Sequence, residues 1–226
     1  MKPAGLKTAR LARGWTQAEA AAKLGVSQPY YAQFESGTRS VPAKVALKAV
    51  RDFQFSPVAL PLPALDARLT PLDPRELTAQ LSFLAYPGFA YWKRAAKPMN
   101  PALVVATALA NEDLDVRLVE ALPWVLAGFP DLDREWLTAQ CRLLNLQNRL
   151  GYVVCLALTL AKPDAEAALA DTLTGLERSR LAAEGTLCRE SMSSAERDWV
   201  REHRPAAAAH WNLLTTLTAD QLTHAA

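Results

Sequence analysis

The sequence predicts an all-α protein in two parts, an N-terminal domain of four to five helices followed by a larger all-α helical domain. Apolar residues recur at helical spacing along most of the 226 residues, and no segment alternates apolar and polar residues convincingly as a strand would. Five prolines interrupt this pattern between residues 56 and 74, and proline disfavours helix in the residue that precedes it. We therefore expect a domain at 1–55, an extended connector at 56–74 and a helical domain at 75–226.

The composition indicates a folded protein with a buried core, because half of the chain is apolar and 21% is charged. The N-terminus is basic and polar and has no apolar run of the kind that a signal peptide needs. The longest apolar stretch, residues 151–161, falls short of the roughly 20 residues that span a bilayer. Cys141, Cys155 and Cys188 are widely separated, as buried thiols in a reducing compartment would be. We expect a cytoplasmic protein without a membrane span.

The charge of the chain is unevenly distributed. Residues 1–56 hold nine Lys and Arg against three acids, whereas residues 57–226 hold sixteen against twenty. A small basic domain on a mildly acidic one predicts a polyanionic partner for the basic part alone. The alternative is that a domain of this size differs in charge by chance.

The basic domain contains two short helices joined by a tight turn. Residues 16–19 (TQAE) form a capping box, in which a Thr hydroxyl and a Glu carboxylate satisfy the free amides of a helix start. This helix ends at Gly25, where the turn requires left-handed dihedrals that only glycine adopts without a Cβ penalty. Ser27 then caps a second helix over residues 28–36, and Gly37 ends it.

The small residue Ala21 lets these two helices cross closely, and apolar side chains fill the wedge between them: Leu24, Val26, Tyr31 and Phe34. Tyr31 is accordingly predicted to be a core residue. An ordinary αα-hairpin without a binding role is the alternative. The pattern combines a small residue, a glycine, an apolar residue that fills the turn and two further apolar residues at these offsets. This combination is much rarer than an αα-hairpin, so it favours a helix-turn-helix.

The residues that carry this pattern, ARLARGWTQAEAAAKLGVSQ followed by FESGTR, resemble the Cro/repressor (XRE-type) helix-turn-helix family. The resemblance covers about the first 52 residues. It implies that the second helix enters the major groove of double-stranded DNA, usually as a dimer on a two-fold symmetric, palindromic operator.

Carried onto this sequence, the resemblance assigns base reading to Gln28 and Gln33, with Tyr30 beside them. A Gln amide reads adenine through two hydrogen bonds, each good pair contributing roughly 1–3 kcal/mol of discrimination. Pro29 and Ala32 depart from the pattern and remove two hydrogen-bonding positions from this face. The phosphate contacts that the resemblance implies are Arg10, Arg13, Gln17, Ser27, Arg39, Ser40 and Lys44. For Arg10 and Arg13 the alternative is solvated surface charge.

The sequence of the second domain predicts a series of helices. Asp73 caps a helix that starts at Pro74, and Pro123 should bend or re-start the helix that begins near Asp115. The apolar helix at 150–160 is predicted to lie at the centre. Four polar residues lie just before or within this helix and have two alternative roles: they either satisfy neighbouring backbone groups or hold a partner or ligand. They are Gln147, Asn148, Arg149 and Tyr152.

Nothing in the second domain predicts catalysis, a cofactor or a metal site. His203, His210 and His224 are spaced by seven and fourteen residues, whereas a helical metal site needs closer pairs, so surface histidines are the better interpretation. Cys188 near Glu190 and His203 resembles a nucleophile site only loosely, and isolated helical cysteines are usually packing residues.

Taken together, these features predict a sequence-specific, repressor-like transcription regulator whose helical domain forms a homodimer and binds a partner protein. By analogy with similar DNA-binding heads, that partner would be a toxin encoded beside it, which makes the protein an antitoxin-type autoregulator. One alternative is a ligand-sensing regulator with a pocket near Arg149 and Tyr152. Another is an enzyme under DNA control, which the lack of clustered reactive residues disfavours.

Overall fold

The computed structural model describes residues 3–92 and 96–222, and in these ranges the protein is almost entirely helical. The predicted all-α fold class is therefore confirmed. The chain divides into two compact units. The first, here called the head, comprises Met1–Pro63 and Pro98–Asn100; the second, here called the body, comprises Ala64–Lys97 and Pro101–Ala226.

The boundary between the units falls inside the proline-rich stretch that was expected to form a separate connector. Pro57–Ala59 form a single 3-10 turn, and Leu60 is buried in the core of the head. The apolar residues among the prolines explain this, because burying Leu60 removes apolar surface from water. The part of the stretch from Ala64 onward belongs to the body.

In the described part of the head, from residue 3 onward, there are four α-helices: α1 (Pro3–Leu11), α2 (Gln17–Leu24), α3 (Gln28–Ser36) and α4 (Ala43–Phe53). The capping box before α2 forms as the sequence predicts, with the Glu19 amide donating to the Thr16 hydroxyl at 3.2 Å and the Thr16 amide donating to the Glu19 carboxylate at 2.7 Å. Gly25 has a φ of 73°, the left-handed conformation that the tight turn was expected to need. Ser27 occupies the N-cap of α3 but makes no side-chain capping bond.

The core of the head lies where α1, α2, α3 and α4 meet. Tyr31 is completely buried, in agreement with its predicted core position, and Phe34 lies next to it. Each completely buried aromatic side chain of this size contributes about 2–3 kcal/mol to the stability of the folded state. The other buried members of this core are Leu6, Ala20, Ala21, Leu24, Ala46, Ala49, Val50, Phe55 and Leu60.

Eight helices form the body, within the residues that the structure describes. Their bounds are α5 (Pro74–Phe83), α6 (Pro101–Leu109), α7 (Val116–Gly128), α8 (Arg134–Leu143), α9 (Gln147–Leu158), α10 (Pro163–Glu177), α11 (Ser194–His203) and α12 (Ala206–His210). The apolar helix α9 packs against α7, α8, α10 and α12, which makes it central as predicted. No helix in the described ranges is both long and apolar enough to cross a membrane.

Two local features of the body bear on the predictions made for it. Helix α7 continues through Pro123 without re-starting, so of the two effects predicted for this proline only a bend is compatible with the structure. A small parallel sheet is also present, in which β1 (Gly185–Thr186) pairs with β2 (Leu213–Leu214). Strands of two residues are too short for alternation to reveal them in a sequence.

Helix α9 contains a glycine that packs closely against the Trp211 ring. A Cβ atom placed on Gly151 in α9 would lie 2.4 Å from the indole ring of Trp211. Trp211 is fully buried, and its indole N–H donates to the Cys155 sulfur at 3.2 Å. Glycine at 151 is thus required by the close approach of a large ring to the helix.

Candidate nucleic-acid interface

Helix α3 presents two different sides. Tyr31 and Phe34 point into the core of the head, while Gln28, Pro29 and Gln33 are exposed. The turn at Gly25 holds α3 across α2, which is the arrangement in which a second helix projects from a helix-turn-helix module. The exposed side therefore carries two amides, as the sequence predicts for a surface that reads base edges.

Beneath this surface lies a buried ion pair between α1 and α3. Arg10 donates from Nε to Glu35 Oε1 at 2.7 Å and from Nη2 to Glu35 Oε2 at 3.1 Å. Its third contact is a 2.8 Å hydrogen bond from Nη1 to the carbonyl of Trp15. The side chains of Arg10 and Glu35 are only 10% and 4% exposed. The prediction that Arg10 contacts a phosphate is thus corrected, because its guanidinium is directed into the head.

Hydrogen bonds continue from this ion pair to the surface. The Gln17 amide donates to Glu35 Oε2 at 2.9 Å, and the Gln28 amide donates to Gln17 Oε1 at 3.2 Å. The chain of contacts therefore runs from Arg10 through Glu35 and Gln17 to Gln28 at the start of α3. The predicted phosphate contact of Gln17 and the predicted base contact of Gln28 fall on adjacent, hydrogen-bonded side chains.

The ionisation of Glu35 is favoured by its partners. Burial opposes the charged carboxylate, but hydrogen bonds from Arg10 and Gln17, together with the charge of Arg10, hold the pKa of Glu35 below its ordinary value. The hydrogen bond to Glu35 in turn raises the pKa of Arg10 against the opposing effect of desolvation. Both groups are therefore charged at neutral pH, and the hydrogen bonds that lead to Gln28 start from a charged pair.

Tyr30 is held from two directions. Its ring meets Phe34 edge-on at a centroid distance of 4.6 Å, and the guanidinium carbon of Arg39 lies 4.5 Å from its ring centre. The predicted base-reading tyrosine and the predicted phosphate-binding arginine are therefore in direct cation–π contact. Tyr30 is half-buried as a result, with its ring orientation fixed by Phe34.

The remaining predicted phosphate residues differ in how firmly the head holds them. Arg13 is half-buried and donates to the carbonyls of Ala9 at 2.9 Å and Gln54 at 3.2 Å. Its guanidinium also lies 4.9 Å from the Phe55 ring centre. Exposed side chains are found at the other positions, Ser27, Arg39, Ser40 and Lys44.

Glu35 is the functional residue that sequence reasoning missed. A signal was present, because Glu35 is one of only three acids in a basic segment and stands in the last turn of its helix. An acid is unfavourable at that end of the helix dipole unless a cation compensates it. The partner itself was not predictable locally, since Arg10 lies 25 positions earlier in the chain.

The fold and this surface define a DNA-binding module of the helix-turn-helix class. Comparison with known families agrees, because the family model described as Helix-turn-helix matches residues 6–60. The head is thus an XRE-type helix-turn-helix domain, of the kind found in DNA-binding transcription regulators. No curated protein and no solved structure was found to match the chain.

The residues of the body that were considered for partner or ligand binding face inward. Arg149 donates to the carbonyls of Leu109, Asn111 and Thr186 at 2.7–2.8 Å and to Glu190 Oε1 at 2.9 Å. Its side chain is 12% exposed. This guanidinium therefore closes the loops around it, which corrects the hypothesis that it holds a partner or ligand.

The three other residues of this set also bond to the body's own backbone. Asn148 donates to the Leu181 carbonyl at 2.9 Å and accepts from the Leu181 amide at 2.8 Å. Gln147 donates to the carbonyl of Ser179 at 3.1 Å, and the Tyr152 hydroxyl donates to the carbonyl of Leu217. Asn148 and Tyr152 thus satisfy neighbouring backbone, the alternative that the sequence offered, whereas the Gln147 Oε1 atom is buried without a hydrogen-bond partner among the described residues.

The described residues contain no group of three or more His, Cys, Asp and Glu side chains that could hold a metal ion. His203 stacks on Trp199, and His210 lies 2.7 Å from a Glu177 oxygen, both on the surface. His224 lies outside the described residues. Burial raises the pKa of the Cys188 thiol to about 11, which disfavours the reactive thiolate at neutral pH.

Proposed function

We propose that this protein is a sequence-specific, repressor-like transcription regulator that binds a two-fold symmetric operator in double-stranded DNA as a homodimer. In this proposal Gln28 and Gln33 read base edges in the major groove, and Tyr30 contacts a thymine methyl or the backbone. Arg39, Ser40 and Lys44 contribute phosphate contacts that fix the register. Their exposure on and just after α3 supports this assignment.

The observation that carries the proposal is the anchored position of Gln28. Its amide is held by Gln17, which is held by the buried Glu35–Arg10 ion pair. A side chain that is already ordered loses less rotamer entropy when it meets a base, and an immobilised side chain costs about 0.5–1.5 kcal/mol otherwise.

The test is to select binding sites for the full chain from random duplex DNA and to measure affinity for the selected site and for a scrambled one. We expect the Gln28→Ala/Gln33→Ala double variant to lose about tenfold or more of the discrimination between the two sites, because each amide–adenine pair contributes roughly 1–3 kcal/mol. Gln221→Ala in the body is the matched control and should bind as the wild type does. Unchanged discrimination in the double variant would refute base reading.

The phosphate contacts are tested separately by salt dependence. Arg39→Ala and Lys44→Ala should each weaken binding to all sequences alike and lower the slope of log affinity against log salt by about one. Loss of discrimination without a change in this slope would assign these residues to base reading instead.

We further propose that the protein regulates its own operon and neutralises a toxin encoded beside it. The support is the resemblance of the head to regulators with this role, together with a body more than twice as long as the head. Co-purification from the native host and deletion of the adjacent gene test it. If no partner is recovered, or if loss of this protein is equally harmful with the adjacent gene deleted, the role is wrong.

A ligand-sensing regulator is the second candidate. The internal hydrogen bonds of Arg149 and Tyr152 remove its support at the position first considered.

A further inference from the structure

Helix α4 of the head carries three basic side chains along one face. Lys44, Lys48 and Arg51 are spaced by four and three residues, which places them on the same side of a helix. All three are exposed. They extend over about 10 Å of the helix axis. These three residues are here called the α4 stripe.

The opposite side of α4 is buried. Ala46, Ala49 and Val50 belong to the core of the head, so apolar packing fixes the orientation of the helix. The α4 stripe therefore faces solvent. Asp52, whose side chain lies outside the described residues, is the one acid in the sequence of this helix, which keeps a net positive charge.

The carboxylates described in the head are engaged elsewhere. Glu19 closes the capping box of α2, and Glu35 is paired with Arg10. None of the α4 stripe forms an ion pair with a residue that the structure describes. The surface of the body differs, because the exposed Arg201 pairs with Glu184 at 2.7 Å. Within the described part of the head, the charge of the stripe is thus not compensated.

This lack of compensation indicates the kind of partner that the stripe fits. Like charges at this spacing destabilise a helix slightly, so the stripe contributes nothing favourable to the fold of the free head. A single exposed ion pair is weak, and a small anion would gain little from these side chains. A polyanion meets several cations at once and releases its condensed counterions, which favours a nucleic-acid backbone.

The α4 stripe also lies close to the start of α3. A Cβ atom placed on Gly25, in the turn before α3, would lie 3.7 Å from Lys48 Nζ. Gln28 follows Gly25 by three residues, which span at most about 11 Å. The Lys48 ammonium is therefore within about 16 Å of the Gln28 backbone, a limit not much larger than the width of the major groove, about 12 Å. Phosphates that border the groove are within reach of such a side chain.

We propose that the α4 stripe binds phosphates of the same DNA duplex whose bases α3 reads. Lys44 is already proposed as a phosphate contact, and Lys48 and Arg51 continue this surface along α4. The inference rests on the proposed DNA binding and deepens it. Because phosphates are the same in every sequence, the stripe adds affinity without adding discrimination.

The test measures the affinity of the full chain for the selected duplex and for the scrambled duplex over a range of salt concentrations. Lys48→Gln/Arg51→Gln should weaken binding to both by the same factor and lower the slope of log affinity against log salt by about two. Lys162→Gln/Arg178→Gln removes two exposed cations from the ends of α10 in the body and is the matched control, for which we expect the wild-type slope.

The outcomes separate this inference from the proposed function. A wild-type slope in Lys48→Gln/Arg51→Gln, with discrimination intact, would overturn the role of the stripe and leave base reading by α3 in place. An equal fall of the slope in the control variant would show a general effect of net charge and would also overturn it. If the wild type selects no site at all, the proposed function fails, and the inference fails with it.

Neutral methylphosphonate groups, placed one at a time in the selected duplex, locate the contacts. At a phosphate that the stripe touches, the neutral group should weaken the wild type severalfold and Lys48→Gln/Arg51→Gln hardly at all, because both changes remove the same contact. Losses that add independently at every phosphate would exclude a direct contact.

Two further measurements exclude other roles of the stripe. Lys48→Gln/Arg51→Gln should unfold at the wild-type temperature or slightly above it, because like-charge repulsion is removed. A clear loss of thermal stability would assign the stripe to the fold and overturn the proposal. Polyglutamate that binds the wild type more tightly than the scrambled duplex does at the same salt, and loses this affinity in the variant, would identify an acidic protein as the partner instead of DNA.

Discussion

In the head, Arg10 pairs with Glu35 and the contacts that follow lead outward through Gln17 to Gln28 on the surface. In the body, Arg149 pairs with Glu190, and its other donors end on backbone carbonyls inside the unit. Similar residues, an arginine, a glutamate and nearby amides, thus serve two purposes. One network orders a surface side chain, while the other ties loops together.

The difference teaches how to judge a polar cluster beside a buried helix. The role of such a cluster depends on where its last hydrogen bond ends. A bond to an exposed side chain orders the surface, whereas a bond to a backbone group that would otherwise be unsatisfied stabilises the fold. Composition does not distinguish the two cases, because amides and a guanidinium occur in both.

The largest effect is expected from removing the arginine of the body. Arg149→Met leaves three carbonyls without this donor, and each buried acceptor left unsatisfied costs about 1–3 kcal/mol. The Glu190 carboxylate adds little, because its side chain is 37% exposed and keeps Arg197 as a partner. Denaturant unfolding should show this loss, and hydrogen exchange should show reduced protection of α9. Arg178→Met, an exposed arginine at the end of α10, is the control. A loss below about 1 kcal/mol, the usual value for a surface pair, would contradict a structural role.

A somewhat smaller loss is expected in the head. Arg10→Met leaves Glu35 buried without its ion-pair partner, which should cost about 3 kcal/mol and lower protection of α3 in hydrogen exchange. It should also reduce operator discrimination, because Gln17 and Gln28 lose their anchor. If Arg149→Met reduced operator discrimination as strongly as Arg10→Met does, the two networks would not differ in role and the comparison would be wrong. Arg51→Met, exposed on α4, should change neither property.

Acid should weaken the head through Glu35. Because its folded-state pKa is lowered, the stabilisation is fully present above the ordinary Glu pKa of about 4.3 and is lost as pH falls through the folded value. Unfolding measured between neutral pH and pH about 3 should show this decline. Glu35→Gln should start less stable and decline less steeply. An equally steep decline in Glu35→Gln would rule out Glu35 as the group responsible.

The smallest effects come from two glycines. Gly25→Ala forces a Cβ into a left-handed conformation with φ of 73° and should destabilise the head by about 1 kcal/mol. Gly175 lies inside α10, and an added Cβ there meets no atom within 4 Å. Gly175→Ala should therefore stabilise the body by up to about 1 kcal/mol. Thermal unfolding of both variants measures the opposite signs.

The comparison also shows what could be predicted from the sequence. The capping box at Thr16 and the turn at Gly25 were predictable because their partners lie within a few residues. Arg10 was misplaced because its partner Glu35 belongs to a different helix. The contact between Asp113 and Ser191 was not predictable, since the two residues lie 78 positions apart. Local chemistry therefore predicts the elements, and tertiary contacts decide which of their polar groups remain available.

The contact between Gly151 and Trp211 has a consequence for the order of folding during synthesis. All buried residues of the head core lie between positions 6 and 60, and the remaining segment of the head, Pro98–Asn100, follows soon after, so the head can close once these residues have left the ribosome. Helix α9 contacts the Trp211 ring through Gly151 and the Leu217 carbonyl through Tyr152. Both partners follow α9 by more than 50 residues in the chain, so they are synthesised later. A ribosome-bound chain would thus carry a finished DNA-reading domain while the body is still incomplete.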